Sequence, residues 1–132
     1  MPIDAFSEAW AAAWGKALNG SEGYRQAAAK WEGSVVLRQA DDGRGVFLDL
    51  WHGDCRAARL ASAADVAGAA YILEAARADW RELLAGRLAP ILALMTGKLR
   101  LAKGDLTSLV PYAAAAGALI GIAGTIDTSF PE

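Results

Sequence analysis

The stretch from Ala78 to Asp105, ADWRELLAGRLAPILALMTGKLRLAKGD, contains the boundaries of four successive elements. Asp79 and Glu82 form a capping-box pattern that predicts the start of a short helix, and Gly86 predicts its end. In the helix that follows, apolar residues recur at intervals of three and four, so their side chains line one stripe. The residues of this stripe are Leu88, Ile91, Leu92 and Met95.

A strand and the start of a further helix come after the stripe. Gly97 ends the second helix, and the alternation in KLRL at positions 98–101 is typical of a half-buried strand. Gly104 breaks that strand, and Asp105 can cap the helix that follows it.

These residues resemble the C-terminal half of the sterol carrier protein type 2 family. That family has a tryptophan entering a short helix, an aliphatic-Met-x-Gly-Lys-Leu-x-Leu strand, and a Gly-Asp or Gly-Asn entry to the last helix. The resemblance is specific from Ala69 to about Tyr112. The positions that carry it are Trp80, Leu94, Met95, Gly97, Lys98, Leu99, Leu101, Gly104 and Asp105. It implies a small lipid-binding domain and not an active site.

Length and composition indicate a single domain, residues 1–132, and exclude disorder, since 55% of the residues are hydrophobic and five are Trp. The net charge of −2 provides no electrostatic footprint for nucleic acid. The single cysteine allows no intramolecular disulfide, and no residues have metal-ligand spacing. We therefore predict a cytoplasmic protein without a cofactor. The first ten residues lack a basic segment and are interpreted as mature structure, not a signal peptide.

The uncharged stretch from Leu106 to Ile126 is long enough for a membrane-spanning helix. Three glycines and Pro111 interrupt it, and neither a Lys/Arg cluster nor a Trp flanks it. We therefore favour a buried or groove-facing helix from Asp105 to about Ile122.

The rest of the chain predicts two helices followed by sheet. Apolar residues repeat every three or four positions through the first 18 residues, and a second helix is predicted over 21–30. Residues 62–68 are interpreted as a connector, and Arg56 and Arg59 are predicted on opposite faces of one strand. Hairpins followed by helices indicate an α+β domain with a five-stranded, mainly antiparallel sheet. The predicted strands are Val35–Leu37, Gly45–Trp51, Cys55–Leu60, Ala70–Ala75 and Lys98–Ala102.

The densest group of reactive side chains is Asp49, His52, Asp54 and Cys55. A catalytic interpretation would make His52 a base and Cys55 a nucleophile. However, they flank a tight turn with no helix N-terminus to lower the thiol pKa. We therefore interpret the group as an ordinary hairpin turn and predict no catalytic residue.

The resemblance implies an apolar tunnel. In the family, helices cover one face of a five-stranded antiparallel sheet, and a tunnel between the layers takes a fatty-acyl chain or sterol-like ligand. From the residues alone a filled core is the simpler interpretation, and the resemblance shifts the balance. Helix and strand phase, with family position, give the predicted lining: Leu84, Leu88, Ile91, Leu92, Met95, Leu99, Leu101, Leu109 and Tyr112.

The predicted function is non-catalytic binding, extending to transfer, of a fatty acid, fatty acyl-CoA or sterol-like lipid, with transient contact to a membrane surface. The alternative is a protein-interaction or dimerisation module with the same fold and a filled core. A homodimer would then use an uncovered sheet face carrying Phe47 and Trp51. The composition looks bacterial, and the final residues SFPE are not a peroxisomal tripeptide.

Overall fold

The computed structural model describes residues 2–130. Met1, Pro131 and Glu132 lie outside the described residues. Of the final residues SFPE, only Ser129 and Phe130 are therefore described. The strands are β1 Ile3–Asp4, β2 Glu32–Gln39, β3 Gly45–Trp51, β4 Asp54–Leu60, β5 Tyr71–Ala75, β6 Leu99–Lys103 and β7 Thr128–Ser129. The helices are α1 Glu8–Asn19, α2 Glu22–Ala27, α3 Ala63–Gly68, α4 Arg77–Leu84, α5 Pro90–Thr96, α6 Leu106–Leu109 and α7 Ala113–Ala123, with a 3₁₀ turn at Val110–Tyr112.

The main sheet has five strands in the order β4-β3-β2-β5-β6. All neighbours are antiparallel except β2 and β5, which are parallel because the connection between them crosses over and contains two hairpin strands and α3. The predicted α+β fold with a mainly antiparallel sheet is confirmed. In addition, β1 and β7 form a separate two-stranded parallel sheet that joins the two ends of the described chain.

Helix α3 packs on one face of the sheet, where Val66 contacts a small cluster of Val36, Ala69 and Ile72. The main core lies between the other helices and the opposite face, which we call the inner face. Its side chains alternate along each strand as the period of two requires, and those of Leu37, Leu48 and Leu73 are fully buried. Helix α1 crosses β4 closely, because Gly15 has no side chain. A Cβ there would lie 2.6 Å from the Cβ of Ala58.

Buried tryptophans connect the helices to distant segments. The indole nitrogens of Trp10 and Trp14 on α1 donate to the Thr128 hydroxyl (2.9 Å) and the Leu119 carbonyl (3.0 Å). Trp80 on α4 donates in the same way to the carbonyl of Arg38 at 3.0 Å. Each indole therefore buries its large ring without leaving its N–H unsatisfied.

Three helix starts differ from the sequence prediction. Helix α1 begins at Glu8, capped by the Ser7 hydroxyl, because Ile3 and Asp4 pair with β7 instead of continuing the helix. Helix α4 begins at Arg77 with Asp79 already in its first turn, so the predicted capping box there is wrong. A capping box does occur at Ser62 and begins α3, where only a connector was expected.

A β-bulge in β4 changes which face of the sheet its side chains occupy, relative to the prediction. The register between β3 and β4 shifts at Asp49 and Leu50, which leaves Arg56 as an extra residue. As a result, Arg56 stacks on Trp51 and Arg59 stacks on Phe47, both on the outer face of the sheet. Their predicted placement on opposite faces is wrong, since a bulge restarts the alternation.

The apolar C-terminal stretch packs against the core mainly through α7. Leu106–Ala123 is long and apolar enough, by length and composition, to cross a membrane. The 3₁₀ turn around Pro111 divides it, and α7 contacts α1, α2, α4 and α5. Leu119 and Ala123 are fully buried in the core. The packing of α7 agrees with the predicted buried or groove-facing helix, but the single helix expected from Asp105 to about Ile122 is divided into α6, the 3₁₀ turn and α7.

Candidate functional site

The described residues enclose a half-open cavity of about 200 Å³ between α5 on one side and α6, the 3₁₀ turn and α7 on the other. All of the side chains that line it are apolar. They are Ile91, Leu94, Met95, Leu106, Leu109, Val110, Ala113 and Ala116.

Helix α5 forms one wall and is defined by the residues at its ends. Pro90 occupies the first helical turn, where its missing N–H costs nothing, and Gly97 ends the helix with a left-handed φ of 81°. Within the helix, Ile91, Leu94 and Met95 are spaced by three and four residues, so they share the face that lines the cavity. Only Ala93 of this helix is buried.

Small residues on α7 leave the space that the cavity occupies. Ala113 and Ala116 lie three residues apart and therefore on the same face of the helix. Leu109, buried at the end of α6, belongs to the same wall. The Asp105 carboxylate caps α6 by accepting from the Thr107 N–H at 3.0 Å, so the expected cap at Asp105 is confirmed.

The elements on either side of the cavity also carry exposed apolar side chains. Met95 is 79% exposed and Leu92 is 52% exposed, and Ile91, Leu106 and Val110 are also more than half exposed. We call these five residues the mouth surface.

Three of the nine predicted lining residues meet at the cavity: Ile91, Met95 and Leu109. Leu92 is on the mouth surface without lining the cavity. The other five pack elsewhere. Leu99 is buried under the helices, Leu84, Leu88 and Leu101 pack half-buried against the main core, and Tyr112 stacks on Trp31 with ring centroids 6.1 Å apart.

Five lining residues were absent from the prediction: Leu94, Leu106, Val110, Ala113 and Ala116. Leu94 follows Ile91 by three residues, and this spacing could have identified it. The positions after Asp105 could not be phased from a single helical period, because Pro111 sits in a 3₁₀ turn that rotates the faces of α6 and α7 relative to each other.

The reactive side chains of the β3–β4 turn do not converge. His52 and Gly53 both have positive φ, as a two-residue type I′ hairpin turn requires. The His52 ring nitrogens lie 2.9 Å from the Ala29 carbonyl and 3.2 Å from the Glu32 carboxylate. Cys55 instead points inward, and burial raises the pKa of its thiol to about 11.

The backbone geometry of His52 and Gly53 agrees with the turn interpretation. A neutral buried thiol such as that of Cys55 is also a poor nucleophile. Within residues 2–130 no group of three or more His, Cys, Asp or Glu side chains could hold a metal ion. The cavity itself has no ionisable side chain in its lining.

Comparison with solved structures defines the class as sterol-carrier-like domains. A crystal structure of sterol carrier protein 2 superimposes with a TM-score of 0.85 and 43% identity, covering 93% of this chain and 99% of the other. The solution structure of a conserved hypothetical protein from Thermus thermophilus, described as a candidate sterol carrier protein, has a TM-score of 0.80 and 42% identity. That match covers 96% of this chain and 92% of the other.

The family itself follows from the sequence. The model of the SCP-2 sterol transfer family matches residues 15–113. The chain therefore belongs to the SCP-2 sterol transfer family, which confirms the resemblance and extends it toward the N-terminus. Membership supports lipid binding or transfer as the general class of function.

More distant structures share the fold alone. The apo form of sterol carrier protein 2 from Yarrowia lipolytica has a TM-score of 0.59 at 20% identity, covering 86% of this chain and 88% of the other. No curated protein sequence matches this chain.

Proposed function

We propose that the protein binds an apolar small molecule, a fatty acid, fatty acyl-CoA or sterol-like lipid, in the cavity between α5 and α7, and that it does so without catalysis. The observation that carries this proposal is a solvent-connected cavity whose eight lining residues are all apolar. Such a wall stabilises methylene groups and cannot satisfy a polar one. Among the residues predicted from sequence, Ile91, Met95 and Leu109 are proposed to contact the ligand.

The cavity volume limits how much of a ligand is enclosed. Because a dry cavity of about 150 Å³ can hold benzene, 200 Å³ accommodates about eight carbons. Burying these contributes about 6 kcal/mol before the costs of association. A 16-carbon chain would therefore place roughly half its length outside the enclosed volume, over the mouth surface. A longer tunnel requires α5 to move outward.

The polar end of the ligand is expected at the mouth. A carboxylate inside the cavity would have no hydrogen-bond donor, and burying it unpaired would cost several kcal/mol. Lys98, exposed and directly after the Gly97 that ends α5, is the nearest basic residue in sequence to this wall. We therefore expect the apolar chain of the ligand to enter the cavity and the head group to stay in water at the mouth.

Exchange with membranes follows from similar energies. A bilayer also gives the lipid about 0.8 kcal/mol per buried methylene. The difference in free energy between the lipid in the protein and the lipid in the bilayer is then small. The lipid can therefore be taken up and released reversibly. We propose that this exchange takes place in the cytoplasm and that the protein acts as a single domain.

The test is a cavity-filling substitution. Ala113→Leu adds three carbons to the lining. The affinity for decanoic acid, measured by displacement of a fluorescent fatty acid, should therefore fall at least ten-fold while the fold is retained. Ala114→Leu is the matched control, because Ala114 is exposed on the same helix and does not line the cavity. Equal binding by both variants would place the ligand elsewhere, and no binding by the unmodified protein would contradict the proposal.

The interaction module remains the alternative, and the outer face gives it little support. The guanidinium groups of Arg59 and Arg56 stack on Phe47 and Trp51, at 4.5 and 4.7 Å from the ring centroids, and Trp51 is 43% exposed. Both arginines also pair with carboxylates on the same face. A partner on this face would therefore have to accommodate two paired arginines beside the rings.

A further inference from the structure

The exposed apolar residues of this protein are concentrated in one place. Among the described residues, six large hydrophobic side chains are exposed, and five of them form the mouth surface. The sixth, Trp51, lies on the outer face of the sheet. Single exposed apolar residues are normal on a soluble protein, whereas a contiguous group indicates an interaction surface.

The charge of the same part of the chain is opposite to that of the whole. From 83 to 126 there are four basic residues and one acidic residue, although the protein has a net charge of −2. Arg87 and Arg100 pair with glutamates, but neither lysine of this segment, Lys98 or Lys103, has a carboxylate partner within residues 2–130. The acidic residue, Asp105, is engaged in capping α6.

The composition of the mouth surface argues against a protein partner. It consists of aliphatic side chains and one Met, with none of the Trp, Tyr or Arg residues that dominate protein interfaces. A symmetric second copy would bring the same basic segment against itself, which disfavours association. An anionic lipid surface instead complements both the apolar side chains and the exposed Lys98.

Four of the five mouth residues also line the cavity: Ile91, Met95, Leu106 and Val110. Each of these four side chains therefore contacts both the cavity interior and the exterior. A lipid chain that left a bilayer along these side chains would enter the cavity without crossing water.

We propose that the mouth surface docks on an anionic bilayer, with Leu92 and Met95 in the acyl boundary and Lys98 at the head groups. The passage of lipid into the cavity rests on the proposed function, whereas docking itself requires no ligand.

The test is flotation of the ligand-free protein with vesicles of phosphatidylcholine and phosphatidylglycerol, compared with pure phosphatidylcholine. Leu92→Glu should lower partition to the anionic vesicles about ten-fold or more, because it places a charge where docking would bury an aliphatic group. Lys98→Ala should lower it about five-fold. Trp51→Glu removes the exposed apolar residue of the other face and adds the same charge as Leu92→Glu, so it is the matched control and should retain binding.

Docking and ligand binding can be separated, because Leu92 does not line the cavity. In vesicle-free solution Leu92→Glu should bind octanol, an uncharged ligand whose eight carbons fit inside the cavity, like the unmodified protein. Absence of partition by the unmodified protein, or equal partition by Leu92→Glu, would overturn docking. A dimer in sedimentation that Leu92→Glu dissociates would also overturn it, since a second copy would then cover the surface. If the unmodified protein docked on vesicles but did not bind decanoic acid, the proposed function would be contradicted and the docking proposal would stand.

Discussion

Gly15 and Gly121 both lie inside helices, yet the space around them differs. A Cβ at Gly15 would meet that of Ala58 at 2.6 Å, whereas a Cβ at Gly121 would meet nothing within 4 Å. Gly15→Ala should therefore lower the free energy of unfolding by about 1–3 kcal/mol through overpacking. Gly121→Ala should raise it by about 0.5–1 kcal/mol, because alanine loses less backbone entropy. Urea unfolding measures both, and changes of the same sign would contradict the close crossing of α1 and β4.

The Cys55 thiol gives a prediction about reactivity and pH. Burial raises its pKa from the ordinary 9.0 to about 11. At pH 8 the folded protein should thus react with a thiol reagent about a hundred-fold more slowly than the protein in urea, since only the thiolate reacts. The stabilisation that accompanies the raised pKa is present below pH 9 and is lost as the pH rises toward 11. Rapid reaction of the folded protein at pH 8 would show that the thiol is accessible and activated.

At the scale of elements, α5 determines how ligand length affects affinity. With the helix in its observed position, each methylene up to about eight carbons should improve affinity about four-fold, the equivalent of about 0.8 kcal/mol. Longer chains should gain less per carbon, because they lie over the half-exposed mouth surface. Displacement titrations with fatty acids of increasing length measure this dependence. A constant increment up to 16 carbons would mean that α5 moves and a longer tunnel opens.

The elements that the sequence predicted well are those determined by local periodicity. The β3 strand, the break at Gly97 and the cap at Asp105 depend on neighbouring residues, and all three are where they were expected. The position of Arg56 and the first strand depend on partners distant in sequence, β3 and β7 respectively. No helical or strand period contains that information.

The same distinction applies to the candidate site. The α5 wall was partly predictable, since Ile91 and Met95 follow the helical period. The opposite wall was not, because Ala113 and Ala116 matter for the volume they leave empty. Leu99 and Tyr112 were assigned to the lining by strand phase and family position, but the structure places them under the helices and against Trp31.

At the scale of the whole molecule, ligand binding should increase the free energy of unfolding. A ligand that binds only the folded state at a hundred times its Kd adds about 2.7 kcal/mol to the free energy of unfolding. For a chain of 132 residues this corresponds to a Tm increase of roughly 10 °C. Calorimetry with decanoic acid should show this increase for the unmodified protein and for Ala114→Leu. If Ala113→Leu showed the same increase, the stabilising site would lie outside the cavity.

The most direct test of the cavity as a ligand site uses Met95. The chain has two methionines, Met1 and Met95, so ¹³C-methyl methionine labelling yields two resonances, and replacing Met95 by Leu assigns them. Because Met95 lines the cavity, its methyl resonance should shift and saturate at one equivalent of decanoic acid. Bound decanoic acid with an unchanged Met95 resonance would contradict the account.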